Sequence, residues 1–434
     1  MTPGARIAAT IEILEKIERS GSPADEVVSA YMRGRRYIGS KDRRAINTRL
    51  FDSLRRRARL DYHLEKEGGE TLPRLRVLAD LLLSEQLSLN EIGALFDGQG
   101  YAPQQLGDGE KELVKKLSGK FLLDPEMPEW IQAETPEWLW PQLSVQWGER
   151  TSGEMAALND QATMDLRVNT LKADCGRALE VLKKDNVEAE PTSYSPIGLR
   201  VKKRVNLQAT TAFRSGFVEI QDEGAQLVAL LCDAIANHKC IDFCAGGGGK
   251  SLALAAQMKD GGPLLACDTD HNRLDRMKPR LKRAGASNVT RHYLQGDDES
   301  WIVENANTAE RVLVDIPCSG TGAWRRNPAA KWRLTPEKLD DLVELQRQIL
   351  TQAASLVAPG GRLIYATCSV LPQENIQQID WFLEQNSEFT TLPIADIWRQ
   401  TIGTNCPVEG VYLEITPARH GTDGFFSAIL EKKT

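Results

Sequence analysis

The chain has 434 residues, 41% hydrophobic and 26% charged, an ordinary composition for a folded protein with room for two or three domains. No apolar run approaches the roughly 20 residues needed to span a bilayer, and the N-terminus lacks the apolar stretch and small-residue cleavage site of an export signal, so a cytoplasmic location is expected. The formal net charge of −6 excludes a chain that coats nucleic acid over its whole surface, and eight irregularly spaced cysteines without a C-x-x-C pair argue against a zinc site or a disulfide framework.

The first part of the chain reads as helical. Ile7, Ile11, Ile13, Leu14 and Ile17 recur at helix-like spacing, and Ser40 is placed to cap a helix whose apolar positions are Ile46, Leu50, Phe51 and Leu54. Apolar runs at 75–83 and 92–96 continue the pattern, and 97–109 reads as a loop. Between Arg33 and Arg59 lie Arg35, Arg36, Lys41, Arg43, Arg44, Arg49, Arg55, Arg56 and Arg57, opposed only by Asp42 and Asp52. Such a run suits docking to phosphates at one face; taken alone, a solvated helix face explains it equally well. Residues 125–147 hold Trp130, Trp138, Trp140 and Trp147 among several prolines, too much aromatic surface for a flexible linker.

From about Met164 the pattern changes. Segments 166–168 and 199–201 read as strands with a helix at 178–184, a small α+β unit. After Gln226 strands and helices alternate as in a parallel α/β sheet, with strands at 240–243, 264–268, 289–294, 312–316 and 363–366. Segments 411–415 and 425–430 flank a glycine-containing turn and read as an antiparallel hairpin at a sheet edge.

The first of these strands runs into Cys244-Ala245-Gly246-Gly247-Gly248-Gly249-Lys250-Ser251. Glycines between strand and helix let backbone amides approach a ligand at the carboxyl end of the strands, and the helix start adds partial positive charge. Three ligand classes compete. A dinucleotide fingerprint would need glycine where Ser251 stands. A phosphate-cradling loop matches Gly249-Lys250-Ser251 but needs glycine where Cys244 stands; Asp315 after an apolar strand resembles the magnesium-holding strand of such nucleotidases, which keeps that reading open. The third class is S-adenosylmethionine. Asp268, Asp297 and Asp315 close successive strands, a row of carboxylates that suits ribose hydroxyls, an adenine amine and a cationic tail, and would repel a triphosphate.

Cys318 follows Asp315-Ile316-Pro317, and Cys368 follows Tyr365-Ala366-Thr367. A lone cysteine is most often a small buried hydrophobe; two at adjacent strand ends beside the acids point to chemistry. Here the chain resembles the RsmB/Sun group of RNA 5-methylcytosine methyltransferases. The likeness is carried by the glycine turn, by Asp315-Ile316-Pro317-Cys318-Ser319-Gly320, and by Thr367-Cys368-Ser369-Val370-Leu371-Pro372-Gln373-Glu374-Asn375. Arg167-Val168-Asn169, Gln221-Asp222-Glu223-Gly224-Ala225, Arg326 with Pro328 and Lys331-Trp332, and Asp423-Gly424-Phe425-Phe426 echo it, over roughly 160–431. One departure is that Gly246 and Gly247 stand where the family usually has Ala and Pro, which puts cofactor affinity in question. Ser40-Lys41-Asp42-Arg43 and Leu54-Arg55 followed by Leu60-Asp61 look like the helical NusB-like domain that precedes the catalytic part in the bacterial 16S rRNA member.

The resemblance implies an α/β fold: a Rossmann-like class I methyltransferase sheet over 233–434 with a C-terminal antiparallel hairpin, preceded by a connector and small α+β subdomain over 139–232 and an all-helical NusB-like, RNA-binding domain over 1–138. It implies methyl transfer from S-adenosylmethionine to cytosine C5 in RNA, 16S rRNA being favoured over tRNA. Cys368 would be the attacking thiol, Cys318 would assist proton removal and release, and Asp315 would face the cytosine amino edge. Cys244, Ala245, Gly246, Gly247, Gly248, Gly249, Lys250, Asp268, Arg273, Asp297 and Asp315 would hold the cofactor; no metal is implied. Arg325, Arg326, Lys331 and Arg333 are candidate phosphate contacts. A target base must be unpaired or extruded. The alternative outside enzymology is a non-catalytic RNA-binding assembly factor, against which the two intact cysteines speak. A monomer is favoured.

Overall fold

A computed structural model describes residues 1–295 and 299–434. The chain divides into two compact units, Met1–Asp160 with Trp324–Leu334, and Gln161–Ala323 with Thr335–Thr434. Among the described residues no helix is long and apolar enough to cross a membrane.

The first unit is helical: α1 Pro3–Ser20, α2 Ala24–Gly34, α3 Ser40–Arg55, α4 Arg57–Lys66, α5 Pro73–Leu83, α6 Leu89–Leu95, α7 Asp108–Leu117, α8 Glu129–Gln132, α9 Trp140–Trp147 and α10 Thr151–Asn159. Thr2 starts α1 by accepting the Ala5 amide, Pro3 supplies its first residue, and Gly21 ends it in the left-handed conformation. The five periodic residues from Ile7 to Ile17 are all buried. Ser40 is not the cap expected of it: Gly39 holds that position, with no side-chain cap bond, and Ser40 is the first helical residue. The segment Trp324–Leu334 completes this unit. Ala329 joins its core, Lys331 Nζ lies 3.1 Å from Asn159 Oδ1, and Arg333 donates to the carbonyls of Ile17 and Gly21.

The second unit holds two sheets. The smaller is antiparallel in the order β2-β3-β1-β4, built from β1 Met164–Val168, β2 Ala189–Pro191, β3 Gly198–Val201 and β4 Val218–Ile220, with α11 Cys175–Lys184 packed on it and the short α12 Thr211–Arg214 before β4. Next come α13 Glu223–Leu230, β5 Cys240–Asp242, α14 Gly249–Gln257, β6 Leu264–Asp268, α15 His271–Ala284, β7 Val289–Tyr293, α16 Glu299–Glu304, β8 Ala309–Asp315, α17 Pro336–Leu356, β9 Val357–Thr367, α18 Ile376–Gln385, β10 Phe389–Leu392, α19 Ile394–Thr401, β11 Leu413–Ile415, α20 Pro417–His420 and β12 Phe425–Lys432. The large sheet runs β10-β12-β9-β8-β5-β6-β7, with β5 to β9 parallel. This is the expected Rossmann-like α/β sheet, and both faces are covered by apolar clusters.

The C-terminal hairpin forms, Ile415 pairing with Phe425, with β11 at the sheet edge and β12 one strand in. β12 pairs with β9 on one side and with β10 and β11 on the other. The full burial of β12 from Phe425 to Leu430 matches that interior place. Because β5, β6, β8 and β9 are parallel, Asp242, Asp268, Asp315 and Thr367 end at one edge of the sheet.

Candidate active site

The glycine turn is pinned first by backbone. Phe243 N–H reaches the Leu313 carbonyl and Ala245 N–H the Cys267 carbonyl, each at 2.8 Å. Gly246 and Gly248 take positive φ of 53° and 81°, where other residues are strained. Gly248 is also crowded, since a Cβ there would fall 2.4 Å from Met277 Cγ. Asp268 accepts the Gly246 amide at 2.7 Å and the Asp270 amide at 2.8 Å. Lys250 is buried and bonds Asp315 Oδ2 at 2.5 Å; burial works against its charge, but the carboxylate of Asp315 and the nearby Cys368 raise its affinity for the proton. The phosphate-cradle reading needs that amide and that ammonium free for a triphosphate, and both are committed to carboxylates.

A cavity of about 610 Å³ opens beside the turn. Of the residues expected in the site, Cys244, Ala245, Gly246, Gly247, Gly249, Lys250, Asp268, Arg273, Asp315, Cys318 and Cys368 line it, while Gly248 packs instead on Met277. Asp297 lies outside the described residues. Burial pushes the Cys244 thiol well up, a state that keeps it neutral.

The two cysteines meet at the far wall of this cavity, their Sγ atoms 3.5 Å apart and both partly exposed. The hydrogen bond to Cys368, burial and neighbouring negative charge push the Cys318 thiol up, strengthening its hold on a proton.

Three residues that sequence reasoning missed belong to this neighbourhood. Asp242, fully buried, accepts the Ser251 hydroxyl at 2.6 Å, while its Oδ1 has no hydrogen-bond partner among the described residues; burial pushes it up to about 7. Gln221 lines the cavity with a buried Oε1 likewise unpartnered. Glu374, fully buried, ties the two cysteine loops together. Its carboxylate accepts the Ser319 amide at 2.7 Å, the Ser319 hydroxyl, the Ser369 hydroxyl at 2.5 Å and the Gln346 amide at 3.0 Å. The signal was present: Glu374 and Gln221 lie inside quoted motifs, and Asp242 precedes the glycine turn by two residues.

The cations behave differently from expectation. Arg325 and Lys331 are buried and Arg333 is bonded to α1 carbonyls, so these three are structural parts of the helical unit. In the basic run, Arg49 pairs with Glu85, Arg56 with Asp80, Arg57 with Asp61 and Arg59 with Glu134, whereas Arg33, Arg36, Lys41 and Arg44 are exposed.

The cavity fits a cofactor with a ribose, a sulfonium and an ammonium group. It offers carboxylates at Asp242, Asp268 and Asp315, one of them with an unused buried oxygen, beside a turn whose glycines admit close approach. Fold and site together define an S-adenosylmethionine-dependent methyltransferase. Comparison with known proteins narrows the class. The model of the 16S rRNA methyltransferase RsmB/F family matches residues 229–431, and that of the RsmF/B-like ferredoxin-like domain matches 135–208. A probable ribosomal RNA small subunit methyltransferase B from Synechocystis is 29% identical over 97% of this chain and 98% of its own. The ribosomal RNA small subunit methyltransferase B of Shewanella oneidensis is 32% identical over 70% of this chain and 69% of its own. The crystal structure of PH0851 superposes with a TM-score of 0.82 at 27% identity, covering 100% of this chain and 99% of that one. The chain belongs to the RsmB/Sun family of RNA methyltransferases, whose cofactor is S-adenosylmethionine and whose substrate is RNA.

Proposed function

We propose that the chain methylates C5 of a cytosine in 16S rRNA through a transient covalent bond between Cys368 and C6 of the base. The observation that carries this reading is the pair of sulfur atoms, 3.5 Å apart, on the wall of the cavity that the glycine turn lines. Cytosine C5 is a poor nucleophile. Addition of the Cys368 thiolate to C6 saturates the C5–C6 bond and gives C5 enamine character. S-adenosylmethionine, held by the turn with Asp268, Arg273 and Asp315, supplies the methyl group. Cys318, once its own proton has passed to solvent, takes as thiolate the proton that C5 then gives up, the C5–C6 double bond re-forms, and the electron pair of the C6–S bond returns to Cys368. Asp315 and Lys250, joined as an ion pair, face the amino and carbonyl edge of the ring. The region 139–232 supports this site, 233–434 carries it, and the helical region 1–138, NusB-like in our reading, meets phosphates through Arg33, Arg36, Lys41 and Arg44.

The test uses purified protein, methyl-labelled cofactor and 16S rRNA lacking the modification. Label is expected at a single cytosine that resists bisulfite conversion. Cys368→Ala abolishes transfer while cofactor binding persists, and Cys318→Ala accumulates an RNA–protein adduct stable to denaturing electrophoresis. Label on a ribose or on another base, or activity surviving in Cys368→Ala, would overturn the proposal.

A further inference from the structure

The glycine turn is gripped from outside by α15 and the small sheet. Met277 lies against Gly248, and Arg280 Nη1 donates to the Gly247 carbonyl at 2.5 Å. The other end of that guanidinium, Nη2, lies 3.2 Å from Oε2 of Glu219, a buried residue of β4 that also pairs with Arg283. The last turn of α15 is docked on the same sheet region. Asn169 Nδ2 reaches the Ala284 carbonyl at 2.8 Å and Lys172 Nζ the Arg283 carbonyl at 2.7 Å, and Gly216 approaches so closely that a Cβ would fall 2.0 Å from the Arg283 oxygen.

Gly247 differs from its neighbours. Its φ lies outside the left-handed region, and an added Cβ would meet its nearest atom, Arg280 Nη1, at 3.4 Å. Neither conformation nor crowding requires glycine there, yet glycine adds backbone freedom that must be lost when the turn takes up a ligand. Arg280 is not among the residues lining the cavity, so any effect it has on a ligand runs through the turn.

We infer that Arg280 is a positioning residue for the cofactor: steered by Glu219, it fixes the Gly247 carbonyl and presets the turn, which makes the small sheet a determinant of cofactor affinity. The inference rests on the reading that this turn carries S-adenosylmethionine.

Calorimetric titration of the full chain with S-adenosylhomocysteine tests it. Arg280→Met should raise Kd about five- to tenfold, the size expected for a lost charged hydrogen bond and a freed glycine, with kcat at saturating cofactor within about twofold. Arg283 remains on Glu219, so the buried carboxylate keeps a partner. Adding Gly247→Ala to Arg280→Met should recover a large part of the loss, a rescue that general damage to the fold would not give. Normal wild-type binding with an unchanged Kd in Arg280→Met overturns the clamp alone, as does a loss that Gly247→Ala leaves untouched. A wild-type chain that fails to bind S-adenosylhomocysteine overturns the cofactor reading and the clamp with it.

Discussion

Between Asp242 and Lys250 the chain is held almost entirely through its backbone: amides of Phe243, Ala245 and Gly246 reach neighbouring strand ends, and Arg280 holds the carbonyl of Gly247. The two cysteine loops are held the other way. Backbone bonds are present, as from the Gly322 amide to the Cys368 carbonyl and from the Gly424 amide to the Gly322 carbonyl, but a side-chain network joins the loops, with Ser319, Thr321, Ser369 and Gln346 gathered around Glu374. A ligand-cradling turn needs bare backbone, because side chains would occupy the space the ligand takes. A pair of thiols that must share one base needs fixed separation, and a buried carboxylate with all its acceptor sites used supplies it.

The largest effect expected from this difference is at Glu374. Alanine there orphans the Ser319 amide and removes the shared acceptor of the Ser319 and Ser369 hydroxyls and the Gln346 side chain, and turnover should fall by about a hundredfold, the scale of an ångström-sized misplacement of reacting groups, with S-adenosylhomocysteine affinity unchanged. Glu374→Gln should retain much of the activity. A cofactor Kd that weakens in parallel with kcat would break the comparison, because the two regions would then share one support.

Asp242 is, with Lys250 on Asp315, a side-chain anchor on the turn side, and it holds Ser251. Its carboxyl is raised from the ordinary 3.8 to about 7, so the folded protein keeps a proton that the unfolded chain has released. Stability from this group is full below about pH 4 and is lost as pH rises through about 7, by roughly a few kcal/mol at most. Asp242→Asn should therefore flatten the fall in Tm between pH 5 and pH 8; a slope equal to that of the wild type would remove Asp242 as its source.

The smallest effect lies outside both regions. Replacing Arg33, Arg36, Lys41 and Arg44 by glutamine should leave Tm and cofactor binding alone and lower the salt dependence of RNA binding by up to about 0.7 for each phosphate no longer neutralised. Glutamine at Arg56 or Arg59 should instead lower Tm, because each faces a buried carboxylate, Asp80 or Glu134. An unchanged salt slope in the fourfold variant would assign those four cations to solvation.

Much of the site was legible because it is sequential. The glycine turn, the acids closing strands and the Pro-Cys and Thr-Cys-Ser loops each occupy a few consecutive residues whose types announce the local geometry. The strands that were missed, Ala189–Pro191, Val218–Ile220 and Phe389–Leu392, have three or four residues and too little alternation to register. Nothing local marked Trp324–Leu334 as part of the helical unit, and its Arg325, Lys331 and Arg333 therefore read as solvent-facing cations.

What the sequence determined by itself is the order of strands and helices, the glycine positions that permit φ of 53° and 81°, and the presence of two cysteines after strand ends. Only the tertiary structure decided that those sulfurs stand 3.5 Å apart, that Glu374 binds both loops, and that half of a basic run is spent on internal ion pairs. The reason is physical: backbone conformation follows from neighbouring residues, whereas a side chain's partner, and with it its charge state and its freedom to meet a ligand, is fixed by whichever distant segment folds against it.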